Sequence, residues 1–76
     1  MITPAQIRMA RAGLGISVRV LAERARVADS TIHRFETNRG GMQANTLDRL
    51  QSVLEADGVT FIPADTTGGP GVRVRI

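Results

Sequence analysis

The chain has 76 residues, a formal net charge of +3 and no cysteine. That length makes one small domain with a marginal core. The missing thiols exclude disulfides, thiolate nucleophiles and the usual zinc sites, and fit a reducing compartment. No apolar run approaches the ~20 residues of a membrane span, and the N-terminus lacks the basic-then-apolar layout of a signal peptide. A soluble, cytoplasmic protein without a membrane partner is therefore expected.

The charge is unevenly distributed. Every basic residue is arginine, which a GC-rich genome accounts for, but base composition does not explain where the arginines sit. Residues 1–41 carry seven arginines against Glu23, Asp29 and Glu36; residues 42–65 carry Arg49 against Asp48, Glu55, Asp57 and Asp65; Arg73 and Arg75 follow. The N-terminal half is thus net positive and the next stretch net negative. This is the layout expected of a nucleic-acid footprint confined to one part of a small domain.

Thr3-Pro4-Ala5-Gln6 predicts a helix start, with Thr3 as cap, Pro4 at the first helical position and Gln6 reaching back as in a capping box. Ile7, Ala10 and Leu14 make its inner stripe, with Arg8 and Arg11 off that stripe. Those two arginines are solvated or salt-bridged, or alternatively touch phosphate. Gly13 and Gly15 are expected to end the helix. Ser17 is an N-cap type, and a second helix runs from about Val18 to Arg24 or Ala25, with Leu21, Ala22 and Ala25 on one face. Val20 is expected to be half-buried. Val18 either meets a thymine methyl or sugar edge or is a partly exposed helix-end residue. Arg19, at a helix N-terminus that already favours anions, is placed for phosphate.

A tight break follows, with Val27 plugging the angle between two helices. Ala28 or Asp29 opens the third helix, about Asp29 to Thr37; Asp29 suits its positive end and either caps it or accepts from cytosine N4. Ile32 and Phe35 face inward, leaving Ser30, Thr31, His33 and Arg34 outward. Two short helices in this arrangement, the second polar and partly basic outside, are what major-groove reading needs. Thr37-Asn38-Arg39-Gly40-Gly41 reads as a loop whose double glycine allows close approach to a phosphate, with Asn38 and Arg39 as donors. A fourth helix spans roughly Gln43 to Ala56, with Leu47, Leu50, Val53 and Leu54 on one face, an acidic exposed side and Gly58 as its stop.

Leu21-Ala22-Glu23-Arg24-Ala25, then Val27, Ser30-Thr31-Ile32 and Phe35-Glu36 resemble the helix-turn-helix of the Cro and phage-repressor (XRE-like) family. The resemblance extends more weakly from about Gln6 to Gly58. Two positions depart from it. Val18 stands where the family usually has Gln, which bears on a phosphate or base contact. Arg26 stands where it usually has Gly, which asks a non-glycine residue to adopt a left-handed or bridge conformation. Glu36 matches the family's acidic position and is expected to hold the following loop or an arginine.

Beyond the fourth helix the period changes. Val59-Thr60-Phe61-Ile62 reads as a strand, Pro63 to Gly71 as a turn-rich loop, and Val72 to Ile76 as a half-buried strand by strict alternation. A lone two-stranded ribbon is marginal. It either packs Val72, Val74 and Ile76 on the helices, or pairs with a second chain, or is a flexible tail; pairing across a two-fold axis is the favoured reading. The expected fold is therefore mainly α: a four-helix phage-repressor-like domain over residues 1–58, and a C-terminal two-stranded β ribbon over 59–76 as dimerisation element within the same domain.

The resemblance implies a sequence-specific double-stranded DNA-binding transcriptional regulator of bacterial or phage type, nucleoid-associated, acting as a homodimer on an inverted repeat. Ser30, Thr31, His33 and Arg34 would read bases. Ser17, Arg19, Thr37, Asn38 and Arg39 would contact phosphates, and Phe61, Val72, Val74 and Ile76 would dimerise. Control would come from abundance or a regulatory partner protein. Alternatives within the fold are an architectural or recombination-directionality factor or an antitoxin; an alternative outside it is a protein-interaction module that has lost DNA binding. No cofactor is expected. A lone His33 without cysteine is a poor metal ligand, and the absence of paired carboxylates in a cleft or of a Gly-rich phosphate loop argues against an enzyme.

Overall fold

The computed structural model describes residues 1–75. Four helices, α1 (Pro4–Leu14), α2 (Val18–Ala25), α3 (Asp29–Glu36) and α4 (Ala44–Ala56), precede two strands, β1 (Val59–Ile62) and β2 (Gly71–Val74). The fold is mainly helical, with a two-stranded antiparallel sheet at the C-terminus.

The expected capping box opens α1. The Thr3 hydroxyl accepts from the Gln6 amide at 3.2 Å, the Gln6 side-chain oxygen accepts from the Thr3 amide at 2.8 Å, and Pro4 occupies the first turn. The helix ends at Gly15, whose left-handed backbone (φ 70°, ψ 30°) closes the last turn. Gly13 is not a second terminator; it lies inside α1. A Cβ there would stand 2.6 Å from Val74 Cγ2, so its bare face is what lets β2 approach the helix.

Ser17 caps α2 by accepting from the Val20 amide at 3.1 Å. The turn that follows is made by Arg26 in the left-handed region (φ 56°, ψ 47°), a conformation costing a non-glycine residue about 1–2 kcal/mol. Half-buried Val27 packs on the core between α2 and α3. Ala28, not Asp29, is the N-cap of α3, and no side chain caps that end. The Thr31 and Ile32 amides donate to the Ala28 carbonyl, which leaves Asp29 in the first turn facing the positive end of the helix.

The core is continuous. Ile7, Leu21, Ile32, Leu50 and Leu54 are fully buried, joined by Ile2, Ala10, Ala22, Ala25, Phe35, Leu47 and Val59. Two buried polar groups hold its edges. Glu36, 4 % exposed, receives Arg11 bidentately: Nε to Oε2 at 2.8 Å and Nη2 to Oε1 at 2.7 Å. This pairing raises the Arg11 pKa further above its usual value. Arg11 also donates to the Ile16 carbonyl at 3.2 Å, and Arg8 donates to the Glu36 carbonyl. The scaffold helix therefore grips the C-terminal end of α3, and both arginines of α1 are engaged within the protein.

Gln6, 3 % exposed, is the second buried anchor. Its side-chain amide donates to the Ile62 carbonyl at 3.1 Å and the Gly71 carbonyl at 2.9 Å, the two residues paired at the loop end of the ribbon. At the other end, the Arg75 amide donates to the Gly58 carbonyl at 2.9 Å. Phe61, Val72 and Val74 pack half-buried on the helical core, with β2 against α1 and β1 against α4. Of the outcomes open for residues 59–76, packing on the chain's own helices is the one seen, and the segment is not a free tail. Ile76 lies outside the described residues.

Three variants check this account by thermal or denaturant unfolding. Arg11→Met leaves the Glu36 carboxylate buried without its partner and should cost about 3 kcal/mol, lowering Tm by more than ~10 °C. Removing both charges in Arg11→Met/Glu36→Leu should recover most of that loss, as apolar replacement of a whole buried pair does. Arg26→Gly relieves the left-handed turn and should raise stability by up to about 1 kcal/mol.

Candidate nucleic-acid interface

At about 100° per residue, burial of Ile32, Phe35 and Glu36 fixes the outward face of α3. Ser30 and Arg34, four residues apart, lie opposite Ile32, with His33 and Thr31 on either flank. Ser30, His33 and Arg34 are exposed, and Thr31 is half-buried where α3 turns toward its neighbours. The four sequence-chosen base readers thus come from the non-core side of one helix.

The N-terminus of α2 meets that face. Ser17, Val18 and Arg19 line one side of a shallow groove whose other side is Asp29, Ser30 and His33. Ser17 uses its oxygen to cap the helix, which leaves its hydroxyl hydrogen free to point outward. Val18 is half-buried and packs on the core, so the apolar residue at this position contributes to folding. Arg19 is exposed beside the α2 N-terminus and, among the described residues, forms no ion pair. Asp29 brings a carboxylate into the same groove, where it lowers the local positive potential next to Arg19.

The loop after α3 carries further polar side chains. Asn38 takes a left-handed backbone (φ 60°), which asparagine tolerates, and its amide returns to the Phe35 carbonyl at 3.1 Å. The Arg39 amide donates to the Arg34 carbonyl at 2.8 Å. Both side chains are exposed. Thr37 differs: its hydroxyl donates to the His33 carbonyl at 2.8 Å and its amide donates to the same oxygen at 3.0 Å. A phosphate offers only acceptors, so Thr37 serves here as the C-terminal cap of α3, and the donors of this loop are Asn38 and Arg39. The bare face of Gly40, expected to lie open for a phosphate, is covered by the Arg34 guanidinium. The doubled glycine was the only sign of that contact in the sequence.

Phe61, Val72 and Val74, singled out for dimerisation, are brought together, but against the helices. The backbone edges of the ribbon pair with no third strand among the described residues.

The acidic residues of α4 and of its C-terminal end lie on other elements. Asp48 and Glu55 are exposed on α4, and Asp57 pairs with Arg24 at 2.6 Å where α4 meets the end of α2. Among the described residues no group of three metal-ligating side chains comes together, and no helix is long and apolar enough to cross a membrane.

No curated protein matches the chain. A family model described as "Helix-turn-helix domain" matches residues 5–61, which takes in all four helices and most of β1. A domain of this kind suggests a DNA-binding regulator, and its family is typically non-enzymatic. With its four-helix architecture and the α2–α3 pair at its centre, the chain belongs to the helix-turn-helix family of the Cro and phage-repressor type.

Proposed function

We propose that the protein is a sequence-specific double-stranded DNA-binding transcriptional regulator that lays α3 in the major groove. The observation that carries this reading is the groove in which the α2 N-terminus, with exposed Arg19, faces Ser30 and His33 on the outward side of α3. Arg34 adds an exposed donor to the same face of α3, and Asn38 and Arg39 are exposed in the following loop.

Each donor has a role set by its position. Arg19 and Arg39 would contact the two sugar-phosphate strands that border a major groove about 12 Å wide. Together with the Ser17 hydroxyl and the Asn38 side-chain amide they fix register without reading sequence. Arg34 offers two parallel N–H groups to guanine O6 and N7. Ser30 and His33 address neighbouring base edges, and Thr31 adds a contact at the flank.

Two copies on an inverted repeat would set their α3 helices ~34 Å apart, one helical turn of DNA. Because the apolar face of the ribbon is occupied by the protein's own helices, the surfaces left for a two-fold partner are the outer backbone edges of β1 and β2. Residues 59–76 then serve both as part of the single domain and as the dimerisation element.

Two measurements check the proposal. Selection from genomic DNA fragments at two salt concentrations should recover a palindromic motif, with affinity falling steeply as salt rises; Arg39→Ala should weaken binding to all sequences alike and lower the salt slope by about one per protomer. Recovery of no motif, or no binding at low salt, would remove the DNA-reading role. Sedimentation equilibrium should show a dimer at micromolar concentration; a monomer at every concentration would remove the two-fold arrangement.

A further inference from the structure

We infer that Gly40 is a positioning residue: it forms the seat on which the Arg34 guanidinium rests, and through that seat it sets what Arg34 reads. The inference rests on the DNA-binding role proposed above, and adds a determinant outside the recognition helix.

The geometry is local and specific. An ideal Cβ on Gly40 would lie 3.3 Å from Arg34 Nη2, 3.4 Å from Nε and 3.8 Å from Cζ. Nε and Nη2 are nearly equidistant and Cζ is farther off, so it is the Nε–Nη2 edge of the guanidinium that abuts the place where a side chain at position 40 would begin. Gly40 is half-buried although it sits in a loop. Its neighbour Gly41 has nothing within 4 Å of the equivalent point. Neither residue has a positive φ, so left-handed backbone is not what requires glycine at either place. At Gly40 the requirement is space for Arg34.

The loop is folded so as to hold this contact. The Arg39 amide donates to the Arg34 carbonyl at 2.8 Å, and Thr37 closes the end of α3 on the His33 carbonyl at 2.8 Å. Gly40 is thereby carried back alongside the Arg34 side chain. A free arginine has many rotamers, and ordering it on binding costs affinity. An arginine whose Nε–Nη2 edge already abuts the backbone presents its Nη1 side in one direction before DNA arrives. No carboxylate pairs with Arg34 among the described residues, so the seat orients the guanidinium without neutralising it.

A side chain at position 40 would lift the guanidinium away. Alanine demands a shift of a few tenths of an ångström, which a flexible arginine end accommodates in part; valine adds two methyl groups in the same space. The expected order of loss in specific binding is therefore wild type, Gly40→Ala, then Gly40→Val, with Gly40→Val approaching the loss caused by Arg34→Ala. For one bidentate base contact that loss is about tenfold or more.

The test is a double-mutant cycle on the intact protein, using the duplex selected by the wild type. Gly40→Val, Arg34→Ala and the double variant are compared by Kd on that duplex and on duplexes with each base pair of the half-site changed. NMR of the arginine Nε–Hε groups, recorded without DNA, reads the seat directly. The result expected is that Gly40→Val loses discrimination at the same base pair as Arg34→Ala, that it adds no further loss in the Arg34→Ala background, and that the Arg34 Nε–Hε signal becomes mobile. If Gly40→Val weakens binding equally in both backgrounds, or leaves the Arg34 signal unchanged, the inference is overturned while the DNA-binding role stands. If the wild type selects no duplex, the DNA-binding role itself falls and this inference with it.

Discussion

The buried ion pair between Arg11 and Glu36 is the constraint on which the working surface depends. A carboxylate 4 % exposed in so small a core is tolerable only because both oxygens meet a guanidinium in fork geometry. The pair does more than satisfy a charge. It fixes the last turn of α3 against the scaffold helix α1, and Arg8 holds the carbonyl of the same glutamate. The loop that follows begins from that point, so the positions of Asn38, Arg39 and Gly40 are inherited from it. Arg11 is also joined to the Ile16 carbonyl, immediately before the cap of α2. One side chain thus sets the relation between the start of α2 and the end of α3, the two places from which the outward donors project.

Charge is sorted around that frame. Arg8, Arg11 and Arg24 are engaged by internal partners, so the net positive charge of the N-terminal half is not all available outside. Among the described residues Arg19, Arg34 and Arg39 make no ion pair, and they are exposed on α2, on α3 and in the loop after it. The exposed carboxylates of α4 lie on a different element from those three arginines. For a domain with a net charge of only +3, this placement matters more than the total, because exposed charges beyond about 10 Å are screened at ordinary salt.

Much of the fold was legible because the informative signals were local. The Thr3–Gln6 capping box, the Ser17 cap, the apolar stripes and the change of period at Val59 each depend on residues a few positions apart. Glu36 could be assigned to an arginine because the family pattern marks it. What stayed illegible required contacts across the chain. Gln6 looked complete as a capping residue, yet its amide reaches residues 62 and 71. Gly13 looked like punctuation, but its reason is the approach of Val74 from the far end of the sequence. Thr37 carried the right chemistry for a phosphate, and only the helix-end geometry shows that its donors are already engaged. Alternation in β2 marked a buried face correctly but did not say whose surface would bury it.

The central claim is that one face, made by the α2 N-terminus, the outward side of α3 and residues 38–41, meets DNA. The most direct measurement is an NMR titration of isotope-labelled protein with the duplex it selects. Amide shifts concentrated at Ser17 to Arg19, Ser30 to Arg34 and Asn38 to Gly41, with α4 little affected, are the predicted result. Shifts centred on the acidic face of α4 or on the outer face of the ribbon, with α3 unchanged, would contradict the account.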